Sequence, residues 1–438
     1  MPKASNLIEV SQIFDPQKAL TIDDIDIHKN IYESIIEKLK IKILTNHVPS
    51  KTFFVYGQAG MGKSTALNYL PDNNIENRYK LLYLPGKELF VENDIDIIDV
   101  LLMIGFKLTE NNKLADNYFL KLEELQKMNL DLLAKSSEKT KESLESQGHS
   151  AKASLGIASK MFLFAELTGS VFKNLKRNEK ERETLREIFT VDKAKLITLI
   201  NQIIEDYEKE ILNHEKKILL IIDDLEKIEN RDDIERLFIT NNWVFNDVKC
   251  VKVVPIPVFL TRITSMFNND LIEFDFRISK NPLDSDADNG EKVEENKKLL
   301  KELIEKRMEK SSFIHLDAYE EIINYSGGNI RQLIEIIYQS TIEQLYISNM
   351  KGNQISIDDI KNGVASISSR LSKASDSKIK VLTQIAKKHK FLAEPTEQDK
   401  SDFDNALLDN LIFLHKNGTH WYDVNPMIRK TVEVHARD

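Results

Sequence analysis

Cysteine is nearly absent from this 438-residue chain: Cys250 is the only one, so no disulfide can form within it. That usage fits a reducing compartment, and the cytoplasm is the expected location. Glycine is scarce as well, with 14 in all, which makes any glycine cluster conspicuous. Long apolar runs are missing. The most apolar stretch, Leu155 to Phe172, contains Lys160 and Glu166 and falls short of the roughly 20 residues a bilayer crossing needs. Met1 to Val10 has neither a basic start nor an apolar core, so no secretory signal and no membrane attachment are expected. There is also no excess of positive charge. A net charge of −9 argues against a protein coated for indiscriminate nucleic-acid binding, while leaving a local basic patch open. What is present, 41% hydrophobic and 30% charged residues, is the composition of a soluble globular protein. The length suits two or three domains.

Against that sparse glycine background stands Phe53-Phe54-Val55-Tyr56-Gly57-Gln58-Ala59-Gly60-Met61-Gly62-Lys63-Ser64-Thr65. It is a short apolar run, then G-x-x-x-x-G-K-S, then the start of an amphipathic helix. The glycines permit a tight turn in which successive N–H groups face a phosphate, and the helix starting near Lys63 adds its positive dipole end. Gly57 to Thr65 are therefore the candidate nucleotide-binding residues. Lys63 would reach the β- and γ-phosphate oxygens, and the Ser64 hydroxyl would ligate Mg²⁺.

The periodicity predicts a helix over 31–44, the phosphate-loop strand at 52–56 with its helix at 63–70, and a strand from Tyr79 to Leu84. From about 95 to 210 the pattern is helical and highly charged, an insertion broken only by the turn cluster Ser146 to Ser150. Lys121 to Glu145 reads as a solvated helix face, and Leu155 to Phe172 as a buried helix of the insertion. Ile218 to Ile222 are five consecutive aliphatics, read as a strand buried on both faces of a parallel sheet, and Asp223-Asp224-Leu225-Glu226 sit at its C-terminal end. Another buried strand is expected over 250–256, an exposed acidic loop over 279–295, and helices from Lys297 to Gln344. The tail then offers helices at Lys378–His389 and Ser401–Asn410 and a hairpin turned by Asn417-Gly418. Two helices followed by a hairpin outline a winged helix.

A phosphate loop followed about 160 residues later by a buried strand ending in acids defines a site for phosphoryl transfer. Asp223 is the expected metal ligand, and Asp224 or Glu226 would orient and deprotonate water. A third element, Ser326-Gly327-Gly328-Asn329-Ile330-Arg331-Gln332-Leu333, is a turn feeding a helix that carries Arg331 in its first turn. It resembles the sensor-2 motif of AAA+ ATPases, especially the branch of replication initiators and their bacterial relatives. The strand ending Asp-Asp-Leu-Glu also resembles that of STAND and KAP-type signalling ATPases.

The resemblance implies that Arg331 reaches the terminal phosphates, that ATP and Mg²⁺ are the cofactors, and that the ATP state is a homo-oligomer. A trans-acting arginine would complete the site. Arg231, Arg236, Arg262, Arg277 and Arg307 are the candidates, with Arg262 slightly ahead. Two departures point to a slow switch over a fast motor. Asp224 stands where motors usually have Glu, and Val253-Val254-Pro255-Ile256-Pro257 lacks the polar sensor-1 residue, for which Thr261 is the nearest substitute.

The C-terminal module, Ser377 to Asp438, is near neutral, with ten Lys/Arg against nine Asp/Glu. Lys378, Lys380, Lys387, Lys388, Lys390, Lys416 and His420 could meet DNA phosphates, and protein contact is the even alternative. The histidines lack metal-ligand spacing. The expected fold is α/β: a P-loop NTPase parallel sheet over 1–280 with its helical insertion, a helical lid over 281–370, and a winged-helix domain over 371–438. The expected function is a slow ATPase acting as a nucleotide-dependent oligomerisation switch on an effector protein, by analogy in bacterial antiviral defence. Its alternatives are a DNA-binding initiator-like or transposition-regulator-like ATPase, and an ATP-binding scaffold with negligible hydrolysis.

Overall fold

The buried aliphatic runs become strands where β-branched and aromatic side chains can pack on both faces of a sheet. In the computed structural model these are β1 (Thr52–Tyr56), β2 (Tyr79–Pro85), β3 (Lys217–Asp223), β4 (Val251–Pro255) and β5 (Leu271–Glu273). They form one five-stranded parallel sheet in the order β2-β3-β4-β1-β5. Tyr79 to Pro85 run beside Lys217 to Asp223, and Leu219 to Ile221 beside Val251 to Val253. Phe54 to Tyr56 run beside Leu271 to Glu273. The structure describes residues 3–16, 25–86, 94–110, 112–145, 179–228, 230–263, 271–284, 290–371, 376–417 and 419–435. The predicted helix Leu155–Phe172 and the turn cluster Ser146–Ser150 lie outside the described residues, as does most of the acidic loop's Asp284–Gly290 core.

The chain divides into two compact units, one made of 1–42, 54–70 and 256–438, the other of 43–53 and 71–255. The first contains the phosphate loop, β5 and the helices that follow. The expected helical run from Lys297 to Gln344 is three helices, Gly290–Lys306, Leu316–Ser326 and Ile330–Ile347. The last break has a clear cause: Gly327 and Gly328 both adopt left-handed backbone, φ 60° and 86°, which ends one helix and turns the chain into the next. A short N-terminal helix, Leu7–Ile13, packs on Ile330–Ile347. At the C-terminus the helices are Asp376–Lys388 and Glu397–Leu408, the second started four residues earlier than the apolar pattern suggests by a Thr396/Asp399 capping box. The hairpin is β6 (Ile412–Asn417) and β7 (Thr419–Val424), antiparallel, with Asn417 opposite Thr419.

The second unit contains β2, β3, β4 and the helices Ile97–Thr109, Ala115–Glu145, Glu179–Thr190 and Lys193–Glu210. An ion-pair cluster ties the start of the helical region to its return: Arg186 Nε lies 3.0 Å from Asp99 Oδ2, and the same guanidinium also pairs with Asp94. Burial pushes the Asp99 carboxyl up, and Arg186 opposes that shift. The single cysteine is buried, and burial pushes its thiol up to about 11, which makes it a packing residue. Beside it Lys252 is fully buried, its ammonium capped by the carbonyls of Val248 at 2.6 Å, Cys250 at 2.5 Å and Ser50 at 3.3 Å. Burial lowers its pKa to about 8.

Candidate functional site

The loop after β1 is shaped by glycine at the two positions where the backbone is left-handed, Gly60 at φ 89° and Gly62 at φ 79°. Each also lies against a neighbour that leaves no room for a side chain. A Cβ on Gly62 would lie 1.8 Å from the Tyr32 hydroxyl, and one on Gly60 2.6 Å from Asn329 Oδ1. Gly57 passes as closely to the Phe274 backbone, where a Cβ would meet its carbonyl oxygen at 2.5 Å. The helix then starts at Lys63 and ends at Leu67, shorter than the predicted 63–70, with Pro71 following.

Lys63 is only 4% exposed. Its ammonium folds back onto the loop and donates to the carbonyls of Gly57 at 2.9 Å and Gln58 at 3.2 Å. Gln58 is buried beside it, and neither atom of its side-chain amide has a hydrogen-bond partner among the described residues. Ala59, Ser64 and Thr65 are half-buried, and Met61 is buried. A buried ammonium inside a loop of left-handed glycines, at a helix start, fits the phosphates of a nucleotide.

The Gly327-Gly328 turn reaches the same loop. Asn329 Nδ2 donates to the Ala59 carbonyl at 2.7 Å, and the Arg331 N–H donates to the Gly60 carbonyl at 3.1 Å. Arg331 is exposed. The sequence placed Arg331 near the nucleotide and passed over Asn329, although the residue before a helix in a Gly-Gly-Asn turn is a usual capping position. The hairpin strand β6 comes to this turn as well, since a Cβ on Gly327 would meet the Phe413 ring at 2.3 Å.

β5 ends beside the strand that feeds the loop, Glu273 standing opposite Tyr56. Burial pushes the Glu273 carboxyl up to about 8; the Asp275 charge adds to this, and Tyr56, Lys416 and Arg277 oppose it. His415 Nδ1 lies 3.1 Å from Asp275 Oδ1, and Arg277 Nη1 donates to the Lys416 carbonyl at 2.9 Å. An unfolded chain ionises this glutamate near its ordinary value of 4.5, whereas the folded chain keeps the proton to about 8. The stability it contributes is therefore full below the lower value and is lost as pH rises through the upper one. We expect the thermal midpoint of Glu273→Gln to fall less steeply than that of the wild type between about pH 5 and 9. Parallel profiles would remove Glu273 from the account.

In the second unit the acids stand at the end of β3. Asp223 is 1% exposed, and its Oδ1 accepts from the Asp224 N–H at 2.9 Å. Its other oxygen accepts from the Tyr83 hydroxyl. Burial pushes the Tyr83 phenol up, and the Asp223 charge adds to the shift. Asp224 has a left-handed backbone, φ 67°, and its carboxylate is ion-paired with Lys227. Burial works to lower the Lys227 pKa, but the Asp224 hydrogen bond and charge, with Glu226 and Asp223 behind them, raise it overall. Glu226 is half-buried in the same short turn. Tyr83 and Lys227 were not legible as site residues. Lys227 lies at i+3 from Asp224, a spacing that signals a pair once a turn is assigned, whereas nothing local marks Tyr83.

Thr261 and four of the five finger candidates make contacts of their own. Thr261 lies in the helix Leu260–Ile263, with Oγ1 donating to the Val258 carbonyl at 2.8 Å. Arg231 pairs with Glu235 at 2.7 Å, Arg236 with Asp233 at 2.8 Å, and Arg277 with Asp275 at 3.1 Å. Arg307 is buried over the Phe14 ring. The Arg262 side chain lies outside the described residues. In the C-terminal module Lys378 pairs with Asp409 and Lys380 with Asp399, each at 2.9 Å. Burial lowers the His420 pKa. Among the described residues no helix is long and apolar enough to cross a membrane, and no cluster of His, Cys, Asp or Glu has the arrangement of a metal site.

A parallel sheet whose strand β1 opens into a G-x-x-x-x-G-K-S loop at a helix start defines a P-loop NTPase. The model of the KAP family P-loop domain matches residues 29–254, and the chain belongs to that family. No curated protein matches the sequence. Among solved structures it is similar to Drosophila ORC bound to DNA, with 11% identity over 100% of this chain and 94% of that one, and a TM-score of 0.39. It is similar to Cdc6p from Pyrobaculum aerophilum, with 11% identity over 98% of each chain and a TM-score of 0.39. The Aeropyrum pernix ORC1 protein in complex with DNA gives 8% identity over 97% of each chain, also with a TM-score of 0.39.

Proposed function

We propose that this chain binds ATP with Mg²⁺ and hydrolyses it slowly, acting as a nucleotide-dependent switch that assembles with copies of itself and regulates an effector protein. The observation that carries the reading is the Lys63 ammonium, buried within a glycine loop at a helix start. Lys63 holds the β- and γ-phosphates, the N–H groups from Gly57 to Thr65 cradle them, and Arg331 senses the terminal phosphate. Ser64 and Asp223 are hard oxygen ligands of the kind Mg²⁺ takes, and the ion would neutralise charge on the phosphate oxygens. Asp224, with Glu226 beside it in sequence, orients the attacking water.

The Lys227 pairing supports slow turnover. The ion pair occupies an Asp224 oxygen, which has to be released from Lys227 before it can meet the attacking water. The domain reading is kept with the function: a nucleotide-binding core to about 280, a helical lid over 281–370, and a winged helix over 371–438. Contact with protein is favoured for that last module because Lys378 and Lys380 already face carboxylates. A role in antiviral defence is one setting for such a switch. Magnesium-dependent release of phosphate from ATP by the full chain tests the proposal. ATP binding without any release, at every protein concentration, would leave only the scaffold reading.

A further inference from the structure

The Asn329 amide has two jobs. Its Oδ1 accepts from the Gln332 N–H at 3.2 Å and so caps the helix Ile330–Ile347. Its Nδ2 donates to the Ala59 carbonyl at 2.7 Å, within the phosphate loop. The side chain is buried, with Asn329 only 1% exposed. One helical position after Ile330, the Arg331 N–H holds the next carbonyl of the loop, that of Gly60, at 3.1 Å. The approach is closed to any residue but glycine at position 60, where a Cβ would meet Asn329 Oδ1 at 2.6 Å and Arg331 Cβ at 2.8 Å.

A peptide unit is planar and trans, so its C=O and N–H point in opposite directions. Holding the Ala59 carbonyl on the side of Asn329 therefore turns the Gly60 N–H the other way. We propose that Asn329 is a positioning residue for nucleotide binding: it fixes the orientation of the Ala59–Gly60 peptide through the same amide that starts the Arg331 helix. The proposal rests on the reading that this loop takes a nucleotide's phosphates. It makes the loop and the Arg331 helix cooperative, because one side chain serves both. A loop whose peptide has turned over presents a carbonyl to the phosphate, and a misplaced Asn329 loosens the helix start that carries Arg331.

Two substitutions separate positioning from capping. Asn329→Asp keeps a capping acceptor but sets a carboxylate oxygen against the Ala59 carbonyl. Asn329→Ser keeps a capping acceptor and is too short to span both partners. The probe is a fluorescent ADP analogue titrated into the full chain, with the thermal midpoint measured without nucleotide. We expect roughly tenfold weaker binding for Asn329→Ser, with a midpoint close to the wild type, and a larger loss of binding for Asn329→Asp, whose buried carboxylate also lowers the midpoint. Wild-type affinity in both variants would overturn the proposal. So would equal losses in the two variants accompanied by equal falls in midpoint, which assign Asn329 to capping alone. Failure of the wild type itself to bind the analogue would instead defeat the nucleotide reading on which the proposal stands.

Discussion

Lys63→Ala is expected to weaken ATP binding by on the order of a hundredfold, corresponding to about 3 kcal/mol. The ammonium is buried and already satisfied by two loop carbonyls, Gly57 and Gln58. Phosphate oxygens would replace those neutral acceptors with charged ones in a site removed from bulk water, where charge-assisted bonds are strongest. Removing the ammonium also takes a donor from both carbonyls, leaving that of Gln58 with the Met61 N–H at 3.2 Å, so some loop disorder adds to the loss. Calorimetric titration of ATP into the variant and the wild type measures the effect. Equal affinities would mean that the loop is not a phosphate site.

Asp223→Asn is expected to reduce ATP turnover by on the order of a hundredfold while leaving metal-free ATP affinity near the wild-type value. The carboxylate is fully buried, holding the Asp224 N–H on one oxygen and the Tyr83 hydroxyl on the other. An amide keeps one acceptor and nearly the same volume, so the end of β3 should keep its shape. What it loses is the negative charge through which a carboxylate attracts a hard cation more strongly than a neutral oxygen does. Phosphate-release kinetics at saturating ATP, paired with binding in chelator, separate the two effects. A matched loss of binding and turnover would make Asp223 a folding residue.

The parts of the fold that were legible are those written in one stretch of chain. Ile218 to Ile222 could only be a strand buried on both faces, and Asn417-Gly418 between alternating apolar residues could only turn a hairpin. The glycine-lysine-serine loop was equally explicit, because in a chain with few glycines its spacing serves no ordinary helix or strand. β5 escaped notice because three residues, Leu271 to Glu273, are too few to show a period, and β1 alone makes them a strand. The partners of the site residues were hidden for a different reason. Tyr83 lies 140 residues from Asp223, and Asn329 lies 270 from Ala59, distances over which only the assembled fold brings side chains together. Arg277 was a finger candidate on sequence alone, and its own chain supplies Asp275 and the Lys416 carbonyl to hold it.

The central claim is slow, magnesium-dependent hydrolysis that depends on the strand-end acids, and Asp224→Asn tests it most directly. Asp224 is held by Lys227 in a left-handed turn, so an amide there preserves the size of the group and removes its ability to take a proton from water. The measurement is phosphate release per bound nucleotide for the wild type and Asp224→Asn at matched occupancy. The account predicts a slow but measurable wild-type rate and a variant rate lower by at least roughly tenfold. The same negligible rate in both, with nucleotide still bound, would contradict it.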